Sequence, residues 1–78
     1  ERRAELAKIC NEMAEQGRVR VRNVRREAID AFKKLQKAGA ATEDDLKKFE
    51  KEAQNLTDKS IAEINKQLDA KVEDLKRI

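Results

Sequence analysis

Apolar and small residues recur along the first half of the chain at steps of three and four: Leu6, Cys10, Met13, Gly17, Val21, Val24, Ala28, Ala31 and Leu35. That spacing returns to one side of an α-helix at every turn, and it predicts a single helix over about residues 2–37 with these positions as its core face. Within it, Arg18-Val19-Arg20-Val21-Arg22 alternates with the period of a strand. The alternation is short, the helical pattern around it is long, and the chain has no proline to interrupt that pattern. Gly17 weakens the helix by about 1 kcal/mol relative to alanine. It predicts either close packing against a neighbour or a bend.

Lys37-Ala38-Gly39 reads as the stop, because glycine tolerates the left-handed conformation that follows a last helical turn. A turn at about 38–42 leads to Thr42, whose hydroxyl can cap the amide three residues on, with Glu43, Asp44 and Asp45 at the positive end of the next helix dipole. The second helix, about 43–77, carries its own stripe: Leu46, Phe49, Ala53, Leu56, Ser60, Ile64, Leu68, Val72 and Leu75. So short a connection predicts antiparallel neighbours. Ile9, Val19, Ile29 and Phe32 flank the first stripe, and Ile61 and Ile78 the second. One stripe per helix is all that a hairpin covers, so this surplus predicts a third helix or a partner.

Composition narrows the class. Seventy-eight residues with 45% charged side chains and no Pro, Trp or Tyr make one small all-α domain, an antiparallel hairpin of long helices. With no His and one cysteine, the chain has neither an internal disulfide nor a usual zinc site. Cys10 falls on the apolar stripe, where a buried inert thiol is expected. Neither a membrane-spanning run nor a signal peptide is evident, and an intracellular, soluble protein is expected. The opening residue is Glu1, not Met, which fits a fragment or a processed form.

The net charge of +3 is unevenly spread: residues 1–39 carry eleven basic and six acidic side chains, residues 40–78 eight and ten. Seven of the eight arginines lie in residues 1–26, and five of them crowd into residues 18–26, where there is no carboxylate. On a helical wheel with Arg18 at zero, the apolar stripe centres near roughly 255°, with Arg22, Arg25 and Arg26 near about 40°, 340° and 80°. Arg18, Arg22, Arg25 and Arg26 therefore form a flank, while Arg20, near about 200°, borders the stripe and snorkels. A cationic ridge about 10–12 Å long, built from planar guanidinium groups, suits phosphates, and Asn23 can add a hydrogen bond. The competing reading is a solvated face paired with Glu15, Glu27 and acids of the second helix. Phe32 and Phe49 are the only aromatic residues and are expected in the core, so backbone contacts to structured RNA are favoured over base stacking. Nothing supports catalysis, since there is no histidine, no glycine-rich phosphate loop and no nucleophile beside a base.

At these residues the chain resembles the ribosome recycling factor family. Glu1-Arg2-Arg3, Ala14-Glu15-Gln16 and Val21-Arg22-Asn23-Val24-Arg25-Arg26-Glu27-Ala28 look like the family's second long helix. Glu43-Asp44-Asp45 and Leu56-Thr57-Asp58, with Ile61 and Ile64, resemble the start and middle of its third. The combination is more specific than either half, and the likeness covers essentially all 78 residues. The resemblance implies an L-shaped protein made of a three-helix bundle and a small β domain inserted after the first helix. Only the two returning helices have counterparts here, and Glu1 is expected near the junction to the β domain.

By resemblance, the whole protein acts after translation termination. It lies on the large ribosomal subunit against its rRNA and, with elongation factor G and GTP, promotes dissociation of the ribosome into subunits. The family's RNA-contacting arginines match Arg22 and Arg25, with Arg3 near the entry of the bundle. Arg18 and Arg26 are added by the wheel. No enzyme activity, cofactor, metal, small-molecule substrate or membrane partner is implied. The implied location is the bacterial cytoplasm, or alternatively a mitochondrion or chloroplast. A two-helix piece is expected to bind without splitting ribosomes. Ser60 and Asn65 depart from the family pattern and read as tolerated changes. The alternative function is a structural helical hairpin or coiled-coil interaction module, with the arginines paired to acidic protein partners. A membrane-surface helix is disfavoured by the net-acidic second half and the lack of Trp.

Overall fold

A computed structural model of the chain describes residues 2–77. Glu1 and Ile78, for which the sequence suggested a domain junction and an apolar flank, lie outside the described residues. Two helices, α1 (Arg2–Lys37) and α2 (Glu43–Arg77), form an antiparallel hairpin, so the expected all-α class holds. Their direction is pinned at two levels: the rings of Phe32 and Phe49 stack near the turn with centroids 4.5 Å apart, and Gly17 faces Ile64 near the middle of the hairpin. The molecule is a rod of 58 × 15 × 9 Å. Its radius of gyration, 17.7 Å, compares with about 12 Å for a compact domain of this length.

Both helix ends follow from backbone chemistry. Gly39 takes φ = 81°, the left-handed region that side chains disfavour. That conformation lets the Gly39 amide donate to the Gln36 carbonyl (3.1 Å) and the Ala40 amide to the Leu35 carbonyl (2.9 Å), a pattern that satisfies carbonyls the helix leaves open. At the start of α2 the Asp45 amide donates to Thr42 Oγ1 (3.0 Å), and the Thr42 amide donates back to Asp45 Oδ2 (3.2 Å). This is a reciprocal cap with aspartate in the position more often held by glutamate.

The interface between the helices differs from the predicted stripes. On α1 the residues turned toward α2 are Ala7, Cys10, Ala14, Gly17, Val21, Ala28 and Phe32, whereas Leu6, Met13, Val24, Ala31 and Leu35 stay exposed. On α2, Thr57 and Ile61 take the central places expected of Leu56 and Ser60, which are exposed. The contact face of α1 thus centres near about 300° on the same wheel, rotated roughly 45° toward the arginines. The cause is the breadth of the apolar sector, which one neighbour cannot cover. A second face stays open, and Met13 and Leu56 are 66% and 65% exposed.

Small residues in the first half of α1 let α2 come close. A Cβ added at Gly17 would meet Ile64 Cδ1 at 3.5 Å, an ordinary van der Waals contact, so α2 passes beside the glycine without an approach that only glycine allows. Among the described residues no hydrophobic side chain is fully buried. Thr57, 5% exposed, is buried because its hydroxyl donates to the Ala53 carbonyl within its own helix (2.8 Å). The accessible surface is 6353 Å² against about 4,900 Å² for a compact protein of this mass. The excess reflects the elongated, two-helix shape, which leaves more of the chain in contact with water.

Candidate nucleic-acid interface

The four flank arginines meet different surroundings. Arg18 is clamped: its Nε and Nη2 reach Glu15 Oε2 at 3.0 and 2.9 Å, and its Nη1 donates to Asn65 Oδ1 across the interface at 2.7 Å. Its side chain is only 18% exposed. Arg22 lies 3.6 Å from the other oxygen of Glu15 and is 41% exposed, a loose pair that water and salt weaken. Glu15 stands one helical turn ahead of the acid-free segment and takes up two of the four flank cations. The predicted pairing with Glu15 is therefore present, while Glu27 pairs with no cation among the described residues.

Arg25 and Arg26 have no carboxylate within 4.0 Å among the described residues. Arg25 is instead held by a neutral partner: its Nη1 donates to Gln54 Oε1 at 2.7 Å, and Gln54 Nε2 donates to Asp58 Oδ1 at 2.9 Å. The guanidinium is oriented without being neutralised, which keeps its charge and remaining donors for an anion. Arg26 is exposed beside it. Arg3 stands apart, about 22 Å along the helix axis from Arg18, in a shallow hollow with Val72 and Leu75. Arg20 is exposed and borders the open apolar groove with Val24 and Leu56, as snorkelling requires.

Two positioning residues escaped the sequence reading. Gln54 and Asn65 lie 29 and 47 residues from the arginines that they hold, and no helical pattern within one element links positions so far apart. Asn65, read as a tolerated departure, orients Arg18. Phe32 and Phe49, expected in the core, stack on each other but are only half-buried. Cys10, expected to be buried, is likewise half-buried on the interface, because a single neighbouring helix covers one side of each of the three residues. Among the described residues no cluster of His, Cys, Asp or Glu could hold a metal ion, and no helix is long and apolar enough to cross a membrane.

A family model described as ribosome recycling factor matches residues 1–75, which include both the arginine segment and the Leu56-Thr57-Asp58 motif. The chain belongs to the ribosome recycling factor family. The ribosome-recycling factor of Caldicellulosiruptor saccharolyticus is 49% identical over 78 residues, covering all of this chain and 42% of that protein. That of Maricaulis maris is 45% identical with the same coverage. That of Enterococcus faecalis is 57% identical over 65 residues, 83% of this chain and 35% of its own. The chain thus spans about two-fifths of the length of the curated relatives it matches. No solved structure matches it.

Proposed function

We propose that this chain is the RNA-gripping part of a ribosome recycling factor. On this reading Arg25 and Arg26, with the loosely paired Arg22, contact phosphates of large-subunit rRNA after termination. Arg18 orders the ridge from within, and Arg3 makes a separate contact near one end. The open apolar side of the hairpin seats a further helix of the whole protein, completing a three-helix bundle. Release of the subunits then takes the rest of that protein and elongation factor G. The role is non-catalytic and belongs to the bacterial cytoplasm or an organelle that makes protein.

The observation that carries the reading is Arg25, oriented by a neutral amide and left without a carboxylate. A surface arginine that serves only the fold gains most from an acidic partner. One held by glutamine keeps its charge for something outside the chain. The test is binding to large-subunit rRNA over a range of salt. Affinity should fall steeply with salt, and changing Arg22 and Arg25 to alanine should flatten the slope by roughly one unit per lost contact. A double variant with unchanged affinity and slope overturns the reading.

A further inference from the structure

Across the helix pair from most of the apolar groove, the two helices flank a shallow, open cleft of about 720 Å³ that takes in part of the arginine ridge. Five cations line it: Arg25, Arg26 and Lys33 from α1, and Lys47 and Lys51 from α2. Asp30 and Glu50 also reach its wall, yet neither comes within 4.0 Å of a cation among the described residues. The cleft therefore holds a net charge of +3, equal to that of the whole chain. Its cations have no carboxylate within 4.0 Å among the described residues, and they come from both helices.

We propose that this cleft is a phosphate seat for structured RNA, with Lys33, Lys47 and Lys51 carrying the contact begun by the arginines onto α2. The proposal rests on the RNA-binding reading above and adds a second helix to it. Spacing supports it. Lys47 and Lys51 are one helical turn apart, about 6 Å along the axis, close to the step between successive phosphates on a strand. Arg26 and Lys33, two turns apart at about 10.5 Å, face them across the cleft. Half-buried Ile29 lies in the cleft with the lysine stems, giving sugar faces an apolar surface. Arg25 lines both the cleft and the apolar groove, whereas Arg26, Lys33, Lys47 and Lys51 line the cleft alone, so a helix seated in the groove leaves those four open to solvent.

The experiment compares the full chain with a variant carrying Lys33→Gln, Lys47→Gln and Lys51→Gln, beside the Arg22/Arg25 double variant. Each is titrated with large-subunit rRNA over a range of salt, after circular dichroism has verified helicity. The expected result is a salt slope lower by about two to three units in the lysine variant, with affinity regained when the three are arginine. If the lysine variant keeps its slope while the arginine variant loses its own, the cleft is overturned and the arginine reading stands. If neither changes, both fail. Polyglutamate that competes with RNA at equal ionic strength also overturns the proposal, because the cleft would then take an acidic peptide.

A measurement on the unsubstituted chain covers the case of a variant that does not fold. RNA should protect Lys33, Lys47 and Lys51 from acetylation at least several-fold more than Lys66 and Lys71. Equal protection of all five lysines counts against the cleft.

Discussion

Arg18 and Arg26 are both arginines of one flank, but their surroundings assign them opposite work. Arg18 ties Glu15 to Asn65 on the other helix, so it belongs to the fold as much as to the surface. Arg18→Ala should lower stability by ~1 kcal/mol, since a cross-helix hydrogen bond and a partly screened ion pair are lost together. Arg26→Ala should leave stability within ~0.5 kcal/mol and act on RNA affinity alone. Urea unfolding followed by circular dichroism, run beside the RNA titration, separates the two. If both variants unfold like the parent, Arg18 does not tie the two helices. The arginine cluster itself was legible from residue order, because a run of like charges is visible without coordinates. Which arginine is held, and by what, depends on Gln54 and Asn65, which reach them only once the chain has doubled back.

At the level of the helices, the ends and the interior point in opposite directions. Thr42→Ala removes the acceptor for the Asp45 amide and half of a reciprocal cap, and the cost should be about 1 kcal/mol. Gly17→Ala should raise stability by ~0.5–1 kcal/mol, because the new methyl meets Ile64 at an ordinary contact distance while the unfolded chain loses freedom. Thermal unfolding of the two variants gives both signs in one experiment. A destabilised Gly17→Ala chain would mean that the helices approach more closely than the 3.5 Å contact implies. These features could be read directly, since capping and left-handed glycine are decided by a few consecutive residues. The helical stripes were harder. Periodicity locates an apolar side of a helix but does not mark which part of a broad sector a given neighbour will cover.

For the whole molecule, the surplus surface decides what can be expected. Met13 and Leu56 sit on the open side, so replacing both with glutamine should change hairpin stability by less than about 0.5 kcal/mol. Ile64→Ala, which empties the contact opposite Gly17, should cost roughly 1–2 kcal/mol, less than a fully buried isoleucine because Ile64 is only half-buried. Urea titrations of these variants check the contrast, and a large loss from the glutamine pair would place those residues inside the hairpin interface. The open side also accounts for the elongated shape, since two helices side by side have no third direction in which to bury apolar area.

The order of residues by itself determined the helices, the turn, the caps and the arginine concentration, all of which come from interactions among near neighbours on the chain. It also pointed to an unmet apolar surface, because the number of apolar positions exceeds what one pairing can hide. Only the tertiary structure decided the rotation of α1 toward its arginine flank, the clamping of Arg18, the neutral hold on Arg25 and the joining of lysines from both helices in one cleft. Those outcomes depend on distances between residues far apart in the chain, and such distances exist only after the two helices have packed.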